Sequence, residues 1–287
     1  AGPGDLVHAH GPRTALAALL ARGLGLSAPV VYTVHGYHGL AQEGRAALHR
    51  RLENLLALTM DATVWVSEAD RALAESAGIR PRRAARVVEN GLLVQETPPG
   101  APRDVDLLFV GRLVHQKWPE AFVEAAARLP GRPRIEMIGS GELAATTDAL
   151  AARAGLADFT RHDGLPHAEV MARMARARAV ALTSRWEGLP TVALEAALTR
   201  SLPVGFDIPP LREILGPEAE ALLTPPDPAA LAARLGPLLA DEPARAALAE
   251  RVHARVRARY GVARMADAYA EVYAEARARR RRPQPAR

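Results

Sequence analysis

A chain of 287 residues with 49% apolar side chains has material for one large or two modest domains with sizeable cores, and its lack of cysteine excludes disulfides, thiolate catalysis and cysteine-based zinc sites. The formal net charge is +5, yet six arginines and no acids lie from Arg277 onward; without them the body carries −1, which argues against a nucleic-acid binder built on a basic face. No apolar run approaches the roughly 20 residues that span a bilayer and no signal-peptide pattern opens the chain, so a cytoplasmic protein is expected, its Arg-rich tail either solvated or in weak peripheral contact with an anionic membrane surface.

The first strand is expected at Asp5 to Ala9, in DLVHAHG, followed by a helix over about Arg13 to Arg22. A second strand, PVVYTVHG (Pro29 to Gly36), leads to a longer helix from about Arg45 to Met60, and ATVWVS (Ala62 to Ser67) supplies a third strand. Ser67 with Asp70 three residues on has the form of a capping box, which predicts a helix to about Ala77 that stops at Gly78. ARVVENG (Ala85 to Gly91) is a fourth strand with its turn. Repeated βα units of this length imply a parallel sheet.

The stretch Thr97 to Arg103, TPPGAPR, is stiff and aperiodic and reads as a domain linker. Beyond it come a strand at DLLFVGR from Asp106, a helix over Pro119 to Leu129, a strand over Arg134 to Ile138, and Gly139-Ser140-Gly141 leading into another helix. Phe159 to Gly164 gives no clear pattern; a helix starts at His167 and a buried strand runs from Ala179 to Thr183. Then follow a strand over Leu202 to Phe206, a short helix near Pro210 to Leu215, and helices over Pro228 to Ala240, Pro243 to Tyr260 and Val262 to Arg280. In the last of these, Met265, Tyr269, Val272 and Tyr273 share one face that is expected to dock. The fold class is therefore α/β with two doubly wound, Rossmann-like domains: residues 1–98, incomplete beside its partner; residues 99–260; and a final helix with its basic tail over 261–287.

The chemistry is expected in three places. In the strand-to-helix turn after Thr183, Glu187 stands at the loop tip and Gly188-Leu189-Pro190 opens a helix that carries Glu195. Pro190 is expected as the first helical residue, where its missing N–H costs nothing, and the free amides from Gly188 to Thr191 would receive an anion. Two glutamates eight residues apart are common by chance; their position after a strand is what favours a site for a charged, hydroxyl-bearing ligand such as a sugar nucleotide. In GRLVHQK, Gly111 permits close backbone approach, and Arg112 and Lys117 can converge on a diphosphate. Lys117 is the only lysine among 37 basic residues, which points to a need for a compact ammonium at that position. Gly139 and Gly141 form a second glycine turn with space for a base or phosphate. His35, closing YTVH, is the first domain's best site candidate, with a structural role as its alternative. His8 and His10 alternate onto one strand face without a further acid or cysteine, so a structural role is expected and no metal site.

The segments DLVHAHG, VVYTVHG, VSEADR, VVENG, LLFVGRLVHQK, EMIGSGE, TSRWEGLPTVALEAAL and PVGFDIPPLREIL, in this order over nearly the whole chain, resemble the family-four retaining glycosyltransferases of GT-B architecture, and Glu187 and Glu195 match the E-x7-E signature. The resemblance implies a nucleotide-sugar donor and an acceptor of unspecified class. Arg112 and Lys117 would hold the diphosphate in place of a metal cofactor, Glu195 would reach the ribose hydroxyls, Glu187 the donor sugar, and His35 would lie near that sugar. It also implies a last helix that returns to the first domain. Three departures stand out: the chain begins after the strand and glycine-rich loop with which the family opens, Trp118 replaces the glycine usual after the motif lysine, and Pro209-Pro210 replace glycines of a turn. A nucleotide-sugar epimerase of the same architecture and a non-catalytic nucleotide-binding module are the competing readings.

Overall fold

A computed structural model describes residues 5–41, 46–93 and 102–281. Most of the expected linker and the end of the basic tail, including Arg282 and Arg287, lie outside the described residues. The chain forms two compact units: one of Ala1–Gly91, Glu187–Leu189 and Val262–Arg287, the other of Leu92–Trp186 and Pro190–Gly261.

The first unit holds a parallel sheet of β1 (Val7–His10), β2 (Val30–Val34), β3 (Ala62–Trp65) and β4 (Ala84–Val87), paired in that order. Its connecting helices are α1 (Gly11–Gly23), α2 (Ala46–Thr59) and α3 (Glu68–Ser76). Because successive strand residues face opposite ways, Val30, Tyr32 and Val34 pack with Leu56 and Ala57 of α2, Ala15 and Ala18 of α1 and Ala74 of α3. Val31 faces the other layer, where it joins Val64, Ala84, Tyr269, Val272 and Ala276. Met265 and Tyr273 complete the apolar face expected of the last helix, Val262–Arg281. Ser67 caps α3 by accepting the Asp70 amide, and Gly78 takes the left-handed φ of +73° just beyond it.

The second unit runs through β5 (Val105–Val110), α4 (Pro119–Ala126), β6 (Ile135–Ile138), α5 (Ala144–Arg153), β7 (Phe159–His162), α6 (His167–Arg176), β8 (Ala177–Leu182) and α7 (Thr191–Leu198). It continues through β9 (Leu202–Phe206), α8 (Pro209–Leu215), α9 (Ala219–Leu222), β10 (Leu223–Thr224), α10 (Pro228–Ala240) and α11 (Glu242–Arg259). The six strands are parallel in the order β10-β9-β8-β5-β6-β7. Read outward from β5, one half of the sheet continues through β6 and β7 and the other through β8, β9 and β10, so the winding reverses between β5 and β8. Leu107 and Leu108, on opposite faces of β5, are both fully buried, which stabilises by roughly 1.5–3 kcal/mol each and explains the unbroken apolar run of a central strand.

The structure corrects the sequence reading at two places here. The unclear segment at Phe159 is an edge strand, β7, largely half-buried and therefore without an apolar run. Pro190 is the residue before α7 rather than its first residue: its ψ of 98° is extended, and the helix begins at Thr191. Pro209 and Pro210 do open a helix, α8, where a missing N–H is tolerated.

Candidate functional site

In an open parallel sheet, ligands bind beyond the carboxyl ends of the strands where the winding reverses. In the second unit that point is flanked by the loops after β5 and β8, which carry the two motifs singled out in the sequence. The loop after β5 is laced to the one after β6: Gly111 donates its amide to Ile138 O (3.0 Å), Leu113 donates to Ser140 O (2.8 Å), and Leu143 donates to Leu113 O (2.9 Å). This lacing explains the glycine turn differently from the expectation of room for a ligand. A Cβ on Gly139 would lie 1.8 Å from Gly111 O, and one on Gly141 would lie 2.3 Å from Leu113 O, so both glycines are required by the chain's own backbone. Gly111 is the opposite case, since a Cβ there meets only the Phe109 ring and the Lys117 stem at 3.6–3.7 Å. Arg161 of β7 braces the turn by donating to Gly139 O (3.3 Å) while held by Asp148 and Asp163.

The loops after β5 and β8 are tied as closely. Thr183 Oγ1 donates to the carbonyls of Lys117 (2.9 Å) and Trp118 (3.0 Å). Gln116 accepts the Arg185 amide on its backbone carbonyl (2.8 Å), donates its side-chain amide to Trp186 O (2.9 Å), and accepts an N–H of Arg112 at Oε1 (3.3 Å). Arg112 is exposed and Lys117 partly so, on one short turn of a single loop. Trp118, where the resembled family has glycine, has a left-handed φ of 47° and ψ of 59°. For a bulky residue that geometry costs about 1–2 kcal/mol, offset by the ring's contacts with Phe206 (centroids 5.4 Å apart) and with the Arg185 guanidinium, 3.7 Å from its centroid.

At the start of α7 the N-cap residue is Pro190, which has no side-chain hydrogen bond to offer, and no acid occupies the first turn, so the positive end of the helix is not neutralised from within. Gly188 and Leu189 precede the helix, and Thr191, its first residue, is exposed. Glu195, within α7, is 14% exposed and pairs with His167 Nε2 at 3.0 Å. Glu187 is partly exposed in the loop before the helix. An exposed guanidinium, an ammonium and an uncapped helix start make a setting for a phosphate-bearing ligand.

In the first unit His35 follows β2 and hydrogen-bonds through Nε2 to His10 Nδ1 (2.9 Å), their rings stacked 5.2 Å apart. His8 is held between Tyr273 OH (2.8 Å) and Thr33 Oγ1 (2.7 Å), a structural role as expected. Burial, then the neighbouring His10 and His35, push its imidazole down to about 4.

Gln116, Arg185, Arg161 and His167 join the site without an expected role. Gln116 and Arg185 lie inside the GRLVHQK and TSRWEGLPTVALEAAL motifs, so the signal is present in the sequence but unassigned; nothing local distinguishes Arg161 or His167. Among the described residues no group of three His, Asp or Glu side chains is disposed to hold a metal ion, and no described helix is long and apolar enough to cross a membrane.

The family described as Glycosyl transferases group 1 matches residues 98–255, and that described as Glycosyltransferase Family 4 matches residues 3–95. Glycogen synthase of Mycobacterium tuberculosis is 30% identical over 98% of this chain and 71% of its own length. D-inositol 3-phosphate glycosyltransferase of Xylanimonas cellulosilytica is 34% identical over 63% of this chain and 45% of its own. Among solved structures, sucrose-phosphate synthase from Thermosynechococcus elongatus superposes with a TM-score of 0.84 at 21% identity, over 96% of this chain and 74% of the other. HepE of Anabaena, solved with UDP and glucose, also gives 0.84 at 21% identity, over 94% and 78%.

Proposed function

We propose, from the premise that this chain belongs to the Glycosyl transferases group 1 family and is a transferase of GT-B fold, that it moves a hexosyl group from a nucleotide-diphosphate donor to a hydroxyl of a glycan, lipid-linked or small-molecule acceptor, with retention at the anomeric carbon. The observation that carries the reading is the winding reversal of the second unit's sheet, which places the Arg112 and Lys117 loop beside the turn into α7 and cross-braces the two through Gln116.

In this reading Gly111, Arg112 and Lys117 receive the diphosphate, with the uncapped amides that begin at Thr191 and the approach through Gly188, Leu189 and Pro190. Charge develops on the diphosphate as the glycosidic bond breaks. Two fixed cations and a helix start stabilise that leaving group without reorganisation, so no resident cofactor is invoked. Glu195, steadied by His167, is assigned to the ribose hydroxyls; Glu187 and His35 are assigned to the transferred sugar. Gly139 and Gly141 act indirectly, by seating the β6 turn against the donor loop.

UDP-bound HepE and the sugar-transferring relatives support the donor class. The test is a panel of uridine, guanosine and adenosine diphosphate sugars, assayed for binding and for transfer to acceptor or water, with the product's anomeric configuration read by NMR. Retention with one base preferred is expected. An inverted product overturns the stereochemical assignment, a changed sugar with no transfer indicates an epimerase, and binding of none of the donors overturns the proposal.

A further inference from the structure

The amino ends of the central strands of the second unit's sheet border a pocket of about 110 Å³ that the proposed transfer does not use. Its charged lining is Arg103, Arg178, Arg200 and Arg245 against Glu242 and Glu250. Arg103 stands just before β5, Arg178 is the second residue of β8, and Arg200 stands just before β9. In a parallel sheet these are all amino ends of strands, whereas the donor loops leave the carboxyl ends. Arg245 closes the pocket from α11 and is 2% exposed.

Part of this cluster is structural. Arg103 donates to the carbonyls of Ala175, Ala177 and Thr199 and to Ser201 Oγ, at 2.6–3.1 Å, which satisfies the ends of α6 and α7. Arg245 donates to Leu238 O and Leu239 O near the end of α10 and pairs with Glu242. Arg200 pairs with Glu250 (2.6 Å) and Arg178 with Asp106 (2.7 Å).

The remainder is not accounted for by these contacts. Counting Asp106, which pairs with Arg178, four cations meet three carboxylates, an excess of one positive charge in a partly enclosed space. Arg178 Nε is buried without a hydrogen-bond partner. Arg200 has the left-handed φ of 56° that ends α7, with its own amide on Ala197 O (3.0 Å) and that of Ser201 on Ala196 O (2.9 Å), so its place in the lining is fixed by the helix stop. Burial, then Arg178 and Arg103, push the Arg245 guanidinium down to about 10 against the opposing pull of Asp106 and Asp241. The remaining positive charge, that of Arg103, has only neutral acceptors, and a phosphate oxyanion would offset it while accepting charge-assisted hydrogen bonds.

From the excess charge, the enclosed volume and the unpartnered Arg178 Nε, we propose that this pocket is a second anion site, separate from the donor site, that takes a phosphate dianion or a phosphomonoester. Occupancy would tie α11 to the amino ends of β5, β8 and β9.

The experiment is titration calorimetry with inorganic phosphate and, in a second arm, hexose 6-phosphate, on full-length protein carrying Arg112→Ala and Lys117→Ala so that the donor loop does not compete. One-site binding in the millimolar range or tighter is expected, and the tighter of the two ligands names the source. In that background Arg178→Gln should weaken binding about tenfold, the scale of one lost charge-assisted bond. Glu250→Gln, which removes a lining carboxylate, should tighten it several-fold, and this opposite sign separates an anion site from general damage to the fold. Circular dichroism checks that each variant is folded. Absence of heat up to tens of millimolar, or identical affinity in the parent, Arg178→Gln and Glu250→Gln proteins, overturns the proposal.

Discussion

Gln116 donates its side-chain amide to the carbonyl of Trp186 at 2.9 Å, and the two residues thereby join the loops that follow β5 and β8. The Gln116 backbone carbonyl accepts from Arg185 at 2.8 Å and its Oε1 accepts from Arg112, so one side chain sets both the spacing of the loops and the direction of a cation. Gln116→Ala is expected to lower unfolding free energy by about 1–2 kcal/mol, from two lost side-chain bonds and a carbonyl left less well satisfied. Donor KM should rise more than kcat falls, since positioning of Arg112 is what is lost. Urea unfolding and steady-state kinetics check both; a variant with unchanged KM would detach the brace from donor binding.

Arg112→Ala and Lys117→Ala should each raise the barrier by about 3 kcal/mol, a loss of roughly a hundredfold in kcat, with folding intact because both side chains are at least partly exposed. Turnover with saturating donor is the measurement. Wild-type rates in either variant would remove the cations from the mechanism.

The glycines of this edge should separate into two kinds. Gly139→Ala drives a methyl to 1.8 Å from Gly111 O and should destabilise by about 2–3 kcal/mol, seen as a lowered thermal midpoint with or without ligand. Gly111→Ala meets nothing closer than 3.6 Å, so its unfolding should stay near that of the parent while donor affinity falls. Unaltered donor affinity in a well-folded Gly111→Ala would show that the diphosphate does not approach that backbone.

His8 should make the first unit acid-sensitive. Its folded-state pKa, about 4, lies below the unfolded value of roughly 6.5, so the folded protein binds fewer protons in between. The contribution is fully present above pH 6.5 and is lost as pH falls through 6.5 toward 4. Because the ring is only partly buried, solvent screening reduces the effect to about 1–2 kcal/mol. Urea unfolding at pH 7 and pH 4.5 should show a smaller pH difference for His8→Gln than for the parent; an equal difference would assign the effect to other groups.

How much of this was legible beforehand varied with burial. Central strands are covered on both faces, so β5, β8 and β9 advertised themselves as apolar runs, and β9 had its observed bounds, Leu202–Phe206, from sequence. The edge strands β7 and β10 carry half-buried or very short segments and escaped notice. Trp118 is instructive in another way. Its departure from the family's glycine was visible in the sequence, but its left-handed φ, and the Arg185 and Phe206 contacts that hold it there, were not.

The amino-acid sequence by itself determined what is local: the alternation of strands and helices, the Ser67 cap, the paired apolar face of the last helix, and the motifs bearing Arg112, Lys117, Glu187 and Glu195. The strand order belonged to the tertiary structure alone, and with it the neighbours of each loop. That order made Gly139 a packing necessity, coupled Gln116 to Trp186, set His167 on Glu195 and gathered four arginines at the amino ends of the central strands. Such pairings join residues tens of positions apart, and they follow from how whole elements bury their faces together, a preference that no short window of sequence contains.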